Sequence, residues 1–346
     1  MVSRRAVHRR RFLVSTAAGA TLATLGVDHA ARAAESDAAA SPGLQLIIER
    51  LADVRRRMSN PGALTPVEQF RAVCDTIMPG EGPIDATVTP ARRSPVGCEW
   101  LCAPGANPRR RILMLHAGSF IAYARQSLRR YAAWISAATG ASMLLLDYRL
   151  APEHPYPAAP NDVHTAYLWM RRNGPTGRGR ADQIWVMGDS AGGTLALALP
   201  LMLRDRRQPQ PDAIVAVSPW LDMTGSAASY ETRAKADPLS SRKAVMGSAA
   251  IYLAGADARE PYASPLFGDL SGLPPALILV GDAEVILDDS TRFAAKAKAA
   301  GSPVEIEVWP RMIHCWPEFA AVLPEGRAAI DRMGVYLRTI AAARPS

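Results

Sequence analysis

No apolar run in this chain reaches the roughly 18 residues that a membrane-crossing helix requires. After residue 33 there is no internal repeat and no low-complexity tract. Apolar and charged contents of 49% and 21% are those of an ordinary globular protein. Cysteine is scarce: four in 346 residues, at positions 74, 98, 102 and 315, and no two form a Cys-x-x-Cys pair. Cys98 and Cys102, placed on one strand, would lie about 13 Å apart, too far to bridge, so no disulfide framework is expected. Beyond the N-terminal segment the histidines are His116, His154, His164 and His314. They show no metal-ligand spacing, and neither a metal nor a cofactor is expected. Arg55-Arg56-Arg57, Arg109-Arg110-Arg111 and the arginines from 171 to 180 lack interleaved aromatic platforms. They read as solvated surface, not as a nucleic-acid interface.

The first 33 residues have another character. A basic head with Arg4, Arg5, Arg9, Arg10 and Arg11 precedes a mildly apolar Ala/Gly/Thr segment, and Ala31-Arg32-Ala33 offers small residues for cleavage. That is the order of a secretory leader, and "RRRFL" at 9–13 resembles a twin-arginine export signal. The expectation is an exported protein, periplasmic or extracellular, cut near Ala33. Six arginines and one aspartate leave with the segment, so the formal charge falls from +8 to +3.

From residue 34 onward the pattern alternates. Apolar runs of strand length lie at 111–116, 142–147, 183–188, 212–218, 275–281 and 304–309, with helical stretches near 127–139, 161–173, 191–205, 287–300 and 325–342. Continuous apolar strands between amphipathic helices predict an α/β fold, with a mainly parallel central sheet covered on both faces. The helix pair at 44–78 and the stretch 221–262 break the alternation. Both are expected to cap the C-terminal edge of the sheet, where open α/β sheets bind ligands.

Chemistry concentrates in "GDSAGG", 188–193, between a strand and a helix. Gly188-x-Ser190-x-Gly192 on such a turn pushes the serine hydroxyl out of the sheet. A serine hydroxyl needs a base beside it, and downstream the one histidine is His314 in "RMIHCW". The base needs a carboxylate to orient it, and the loop "GDAEVILDDS" offers candidates. Position favours Glu284, with Asp282 and Asp288 as alternatives. Backbone donors for an oxyanion are expected at Gly118 and Ser119 in "LHAGSF" and at Ala191. Phe120, Trp220, Leu221, Met312 and Ile313 are expected to wall an apolar pocket.

These stretches together resemble the hormone-sensitive-lipase-like carboxylesterases of the α/β-hydrolase fold, across nearly all of the chain beyond the leader. "DYRLAPEHPYPAAPNDVHTAYLWM" (147–170) is similar to the most distinctive stretch of that family, and "GDSAGG" to its nucleophile elbow. The resemblance implies that His116 to Ser119 is the family's His-Gly-Gly-Gly oxyanion motif, with His116 and Ala117 supporting the loop. Here Ala117 and Ser119 stand where the family has glycines. It also supports Glu284 as the acid, aligned with the aspartate of the family's Asp-Pro-Leu-x-Asp. Tyr148, Arg149, Glu153 and His154 are expected to be buried hydrogen-bonding support. The implied activity is hydrolysis of short- to medium-chain acyl esters of small molecules. A lactone, aryl-ester or amide hydrolase with the same triad is an alternative, and a non-catalytic ligand-binding receptor a more distant one. Besides substrate, the implied partner is the export machinery, and homodimer formation stays open.

Overall fold

The computed structural model describes residues 41–59, 62–77 and 83–343. The export signal expected at 1–33 lies outside the described residues. One eight-stranded sheet comprises β1 (Thr87–Pro90), β2 (Cys98–Cys102), β3 (Asn107–Leu115), β4 (Ala141–Leu146), β5 (Gln183–Asp189), β6 (Ala213–Val217), β7 (Ala276–Gly281) and β8 (Val304–Trp309). Their spatial order is β1-β2-β4-β3-β5-β6-β7-β8. Every pairing from β4 to β8 is parallel, whereas β1 and β2 join antiparallel at one edge. The six expected strands are present with small shifts at their ends. The edge pair β1 and β2 was less legible, because β1 is short and largely exposed.

Successive side chains of a strand face opposite sides, so the apolar runs feed two cores at once. Leu113, Leu115, Leu144 and Val186 pack toward α4 (Ala158–Met170), α5 (Ala191–Asp205) and α7 (Leu287–Ala299). Ile112, Met114, Met143 and Trp185 pack on the other face, toward α3 (Arg125–Thr139) and α8 (Pro324–Ala342). The N-terminal pair is α1 (Pro42–Ser59) and α2 (Pro66–Ile77). Leu44, Ile47, Leu51 and Val54 of α1 recur at helical spacing and are buried in that second core. The last α-helix before β7 is α6 (Arg242–Leu253), capped by the Ser241 side chain accepting from the Ala244 N–H.

The helix expected at 161–173 starts earlier and stops at Met170. Asn173–Gly174 instead pairs with Gly177–Arg178 in a two-residue ladder. β3 has β4 on one side and β5 on the other, so the chain reverses its direction of travel across the sheet there. The loops leaving the C-terminal ends of β3 and β5 therefore face each other across a crevice.

Candidate active site

Ser190 occupies the single residue between β5 and α5, with φ 52° and ψ −116°. A non-glycine residue in that region costs about 1–3 kcal/mol, and the surroundings hold it there. Its N–H donates to the Val217 carbonyl of β6 at 2.9 Å, and its own carbonyl accepts the Thr194 N–H at 3.0 Å. The turn closes because Gly192 presses against β3: a Cβ there would collide with the Leu115 carbonyl. Gly192→Ala is therefore expected to destabilise the protein by about 3 kcal/mol, at the upper end for overpacking, because backbone must move. Thermal denaturation should show a Tm loss of roughly 6–12 °C. An unchanged Tm would mean the turn has slack that the geometry denies.

His314 sits in the loop after β8, its side chain 11% exposed. Its Nδ1 lies 2.8 Å from Oε2 of Glu284, which is fully buried. The other oxygen, Oε1, accepts Ser218 Oγ at 2.7 Å and the Gly281 N–H at 2.6 Å. Ser218 is fixed in turn by accepting the Cys315 N–H at 3.1 Å. The two alternative acids are engaged elsewhere: Asp282 accepts the Arg311 N–H, and Asp288 the Ser229 N–H. Burial opposes a charge on His314. The hydrogen bond and charge of Glu284, aided by Asp237 and Glu318, outweigh it and raise the imidazole above its ordinary value. Burial also pushes Glu318 up to about 7, and pushes Asp189 well above the usual carboxylate range.

The loop after β3 turns through three residues of positive φ: Gly118 at 120°, Ser119 at 53° and Phe120 at 64°. Gly118 is needed there, since a Cβ would run into the Ala122 carbonyl. The Gly118 carbonyl accepts the N–H groups of Ile121 and Ala122, which turns the loop back on itself. Among the described residues, the Gly118 and Ser119 N–H groups carry no hydrogen bond. His116 braces the loop from below. Its Nδ1–H donates to the Ala117 carbonyl at 2.6 Å, and its ring stacks between Tyr123 and Tyr148. Burial, with the Arg125 charge adding to it, pushes His116 down to about 3, so it stays neutral at physiological pH. Tyr148 also donates its hydroxyl to the His116 carbonyl at 2.8 Å.

A cleft of about 290 Å3, counted to its open mouth, is lined by Ser119, Ser190, Trp220, Ser240, Val245, Ile286 and His314. The serine, the histidine and the loop after β3 thus meet in one place. Trp220 is in the wall, but Phe120, Leu221, Met312 and Ile313 are not. Phe120 is fully buried and stacked on Tyr252 at 3.8 Å. Leu221 packs in the same core, and Met312 and Ile313 face the opposite one. A wall is defined by where side chains point after folding, and an apolar residue beside a motif more often points into the core. No local sequence pattern marks Ser240, Val245 and Ile286 as part of the wall. Tyr148 is buried as expected, but Arg149, Glu153 and His154 are exposed. Arg149 grips Asp162, and Glu153 pairs with Arg71 of α2, which also donates to the Ile121 and Ala151 carbonyls.

A strand–serine–helix elbow at the sheet's crevice, faced by a histidine on a buried carboxylate, is the architecture of an α/β hydrolase. Residues 112–318 match the alpha/beta hydrolase fold family. The chain is 43% identical over 242 residues to an acetyl-hydrolase of Streptomyces hygroscopicus, covering 70% of this chain and 79% of that protein. The solved structure of an esterase from the bacterial hormone-sensitive lipase family superposes with a TM-score of 0.80 at 37% identity, covering 87% of this chain and 99% of that one. EstE5 soaked with p-nitrophenyl butyrate superposes with a TM-score of 0.79 at 41% identity, covering 88% of this chain and 100% of that one. This chain belongs to the α/β-hydrolase fold family, in its hormone-sensitive-lipase-like branch.

Proposed function

We propose that this chain is a serine carboxylesterase that hydrolyses short- to medium-chain acyl esters through an acyl-enzyme, with Ser190, His314 and Glu284 as its triad. The observation that carries the reading is the 2.8 Å contact from His314 Nδ1 to the buried Glu284, on a histidine that shares one cleft with Ser190. Because Nδ1 donates to Glu284, the neutral ring leaves Nε2 as the acceptor for the serine proton. Ser190 Oγ attacks the ester carbonyl as His314 takes its proton, and the Gly118, Ser119 and Ala191 N–H groups hold the oxyanion. Protonated His314 then gives the proton to the departing alcohol. Water repeats the cycle and frees the acid.

Trp220, Val245 and Ile286 give the cleft an apolar wall opposite its polar groups, and the elements carrying Ser240 and Val245 line it. The acetyl-hydrolase relative and the butyrate ester soaked into EstE5 support short acyl groups. The basic head and Arg9-Arg10 support export of the folded chain. One experiment tests both parts: full-length protein is produced in a host with twin-arginine export, and each fraction is assayed on p-nitrophenyl esters of increasing acyl length. The expected activity peaks at short chains, is found outside the cytoplasm, and is retained inside by Arg9→Lys plus Arg10→Lys. Absence of turnover on every ester by folded protein would sink the esterase reading, and cytoplasmic retention of the unaltered chain would sink export.

A further inference from the structure

Beyond its charge favouring the His314 imidazolium, Asp237 belongs to none of the roles assigned above, yet it is 1% exposed and both its carboxylate oxygens are engaged. Oδ1 accepts the N–H groups of Leu239 at 2.9 Å and Ser240 at 2.8 Å, and Oδ2 accepts that of Val285 at 3.0 Å. Those donors come from two separate segments. Ser240 lines the cleft just before α6, and its carbonyl accepts Nη2 of Arg55 from α1 at 3.3 Å. Val285 directly follows Glu284, so its N–H is one peptide unit from the carboxylate that holds His314. A chain of contacts therefore runs from the N-terminal helix, through the cleft wall, to the acid loop.

We propose that Asp237 is a positioning residue that locks the cleft wall carrying Ser240 to the loop carrying Glu284. The proposal rests on the esterase reading above and assigns a further residue to that reaction. A carboxylate suits the place because it presents acceptors in two directions at once, and charge-assisted bonds to N–H groups are stronger than neutral ones. Asparagine has the same shape but a single acceptor oxygen. It keeps one segment and turns an NH2 donor against the N–H of the other. The fold itself has further ties at this seam: Ser229 Oγ donates to the Val285 carbonyl at 2.7 Å, and Asp289 Oδ2 accepts the Leu221 and Asp222 N–H groups at 3.0 Å. Loss of the Asp237 clamp therefore loosens the wall and the acid loop while the domain remains tied.

Asp237 also leaves an electrostatic signature. The carboxyl groups facing His314 are Glu284 in contact, Asp237 across the seam and Glu318 on the turn that follows the histidine, and each favours the imidazolium. Removing the Asp237 charge lowers the pH at which His314 loses its proton. The acid limb of kcat/KM then moves to lower pH.

The test compares the parent, Ser190→Ala, Asp237→Asn and Asp237→Glu on p-nitrophenyl butyrate, with competent sites of the Ser190-containing proteins counted by stoichiometric fluorophosphonate labelling. Asp237→Asn is expected to lose about 30- to 100-fold in kcat per labelled site, the scale of a small misplacement of reacting groups. Its KM should rise and its acid limb should move down. Asp237→Glu keeps the charge, so its limb should stay at the parent's position while kcat falls. A role in folding alone would lower the number of labelled sites and leave kcat per site and the limb unmoved. Parent-like kcat per site or a parent-like limb in Asp237→Asn overturns the proposal. If Asp237→Asn does not fold, parent-like kcat and KM in Asp237→Glu overturn it. An inactive parent, or an active Ser190→Ala, overturns the esterase reading itself and is seen before any Asp237 variant is compared.

Discussion

Ser190→Ala is expected to lower kcat on a p-nitrophenyl ester by about 10⁵- to 10⁶-fold, the scale seen when a triad serine is removed. The size follows from what remains. Alanine keeps a Cβ at φ 52°, so the elbow strain is unchanged, and the N–H bond to Val217 is a backbone contact. The oxyanion donors and the His314–Glu284 pair also stay. The variant should fold with the parent's Tm and bind esters, yet lack the atom that forms the acyl-enzyme. Residual hydrolysis of roughly 10³- to 10⁴-fold over water would come from the oxyanion donors and binding alone. Covalent labelling by a fluorophosphonate should disappear with the hydroxyl. Activity above a hundredth of the parent's would remove Ser190 from the mechanism.

Glu284→Gln should cost about 10⁴-fold in kcat, and the hydrogen-bond geometry says why. Oε1 of Glu284 is held by two donors, the Ser218 hydroxyl and the Gly281 N–H. The Gly281 N–H can only donate, so it requires an acceptor oxygen at the Oε1 position. A glutamine must therefore place its carbonyl oxygen at the Oε1 position and its NH2 toward His314. Nδ1 of His314 then has to accept, which moves the ring proton to Nε2, the atom that should receive the serine proton. The base is present in the wrong tautomer. The pH profile carries a second sign. Glu284 raises the imidazole against burial, so without its charge the acid limb of the residual activity falls to lower pH. Parallel profiles at pH 5–9 with counted active sites decide this. A loss below tenfold, or a limb that stays in place, would show that Glu284 does not orient His314.

How much of this was legible before the fold depends on how local each signal is. The parallel strands could be read as apolar runs because a strand buried on both faces needs apolar residues at every position, as in "SMLLLD" and "AIVAV". Ser190 could be read because the turn that exposes it needs glycines within two residues on either side. His314 could be picked as the candidate base by chain order, since it is the one histidine downstream of the serine. Glu284 was favoured among the candidate acids by its position in a short acidic loop and by the family resemblance. The antiparallel edge was weaker because its short outer strand is largely exposed and carries no burial pattern.

The rest of the site converges from segments that share no pattern. Ser218 follows β6, Asp237 and Ser240 precede α6, and Ile286 lies just beyond Glu284, yet all lie around one cleft or one carboxylate. An isolated serine or aspartate has no local cue that separates a hydrogen-bonding support from a solvated surface residue. The same lack of cue put Phe120, Leu221, Met312 and Ile313 in the expected pocket, though they fill the two cores. By itself the sequence determined the sheet, the elbow and the identity of nucleophile, base and acid as candidates, because each depends on neighbours within one element or on chain order. Only the tertiary structure decided which carboxylate touches His314, what holds that carboxylate and which side chains wall the cleft. Those are facts of direction and distance between residues up to about two hundred positions apart, such as Ser119 and His314, and folding alone sets them.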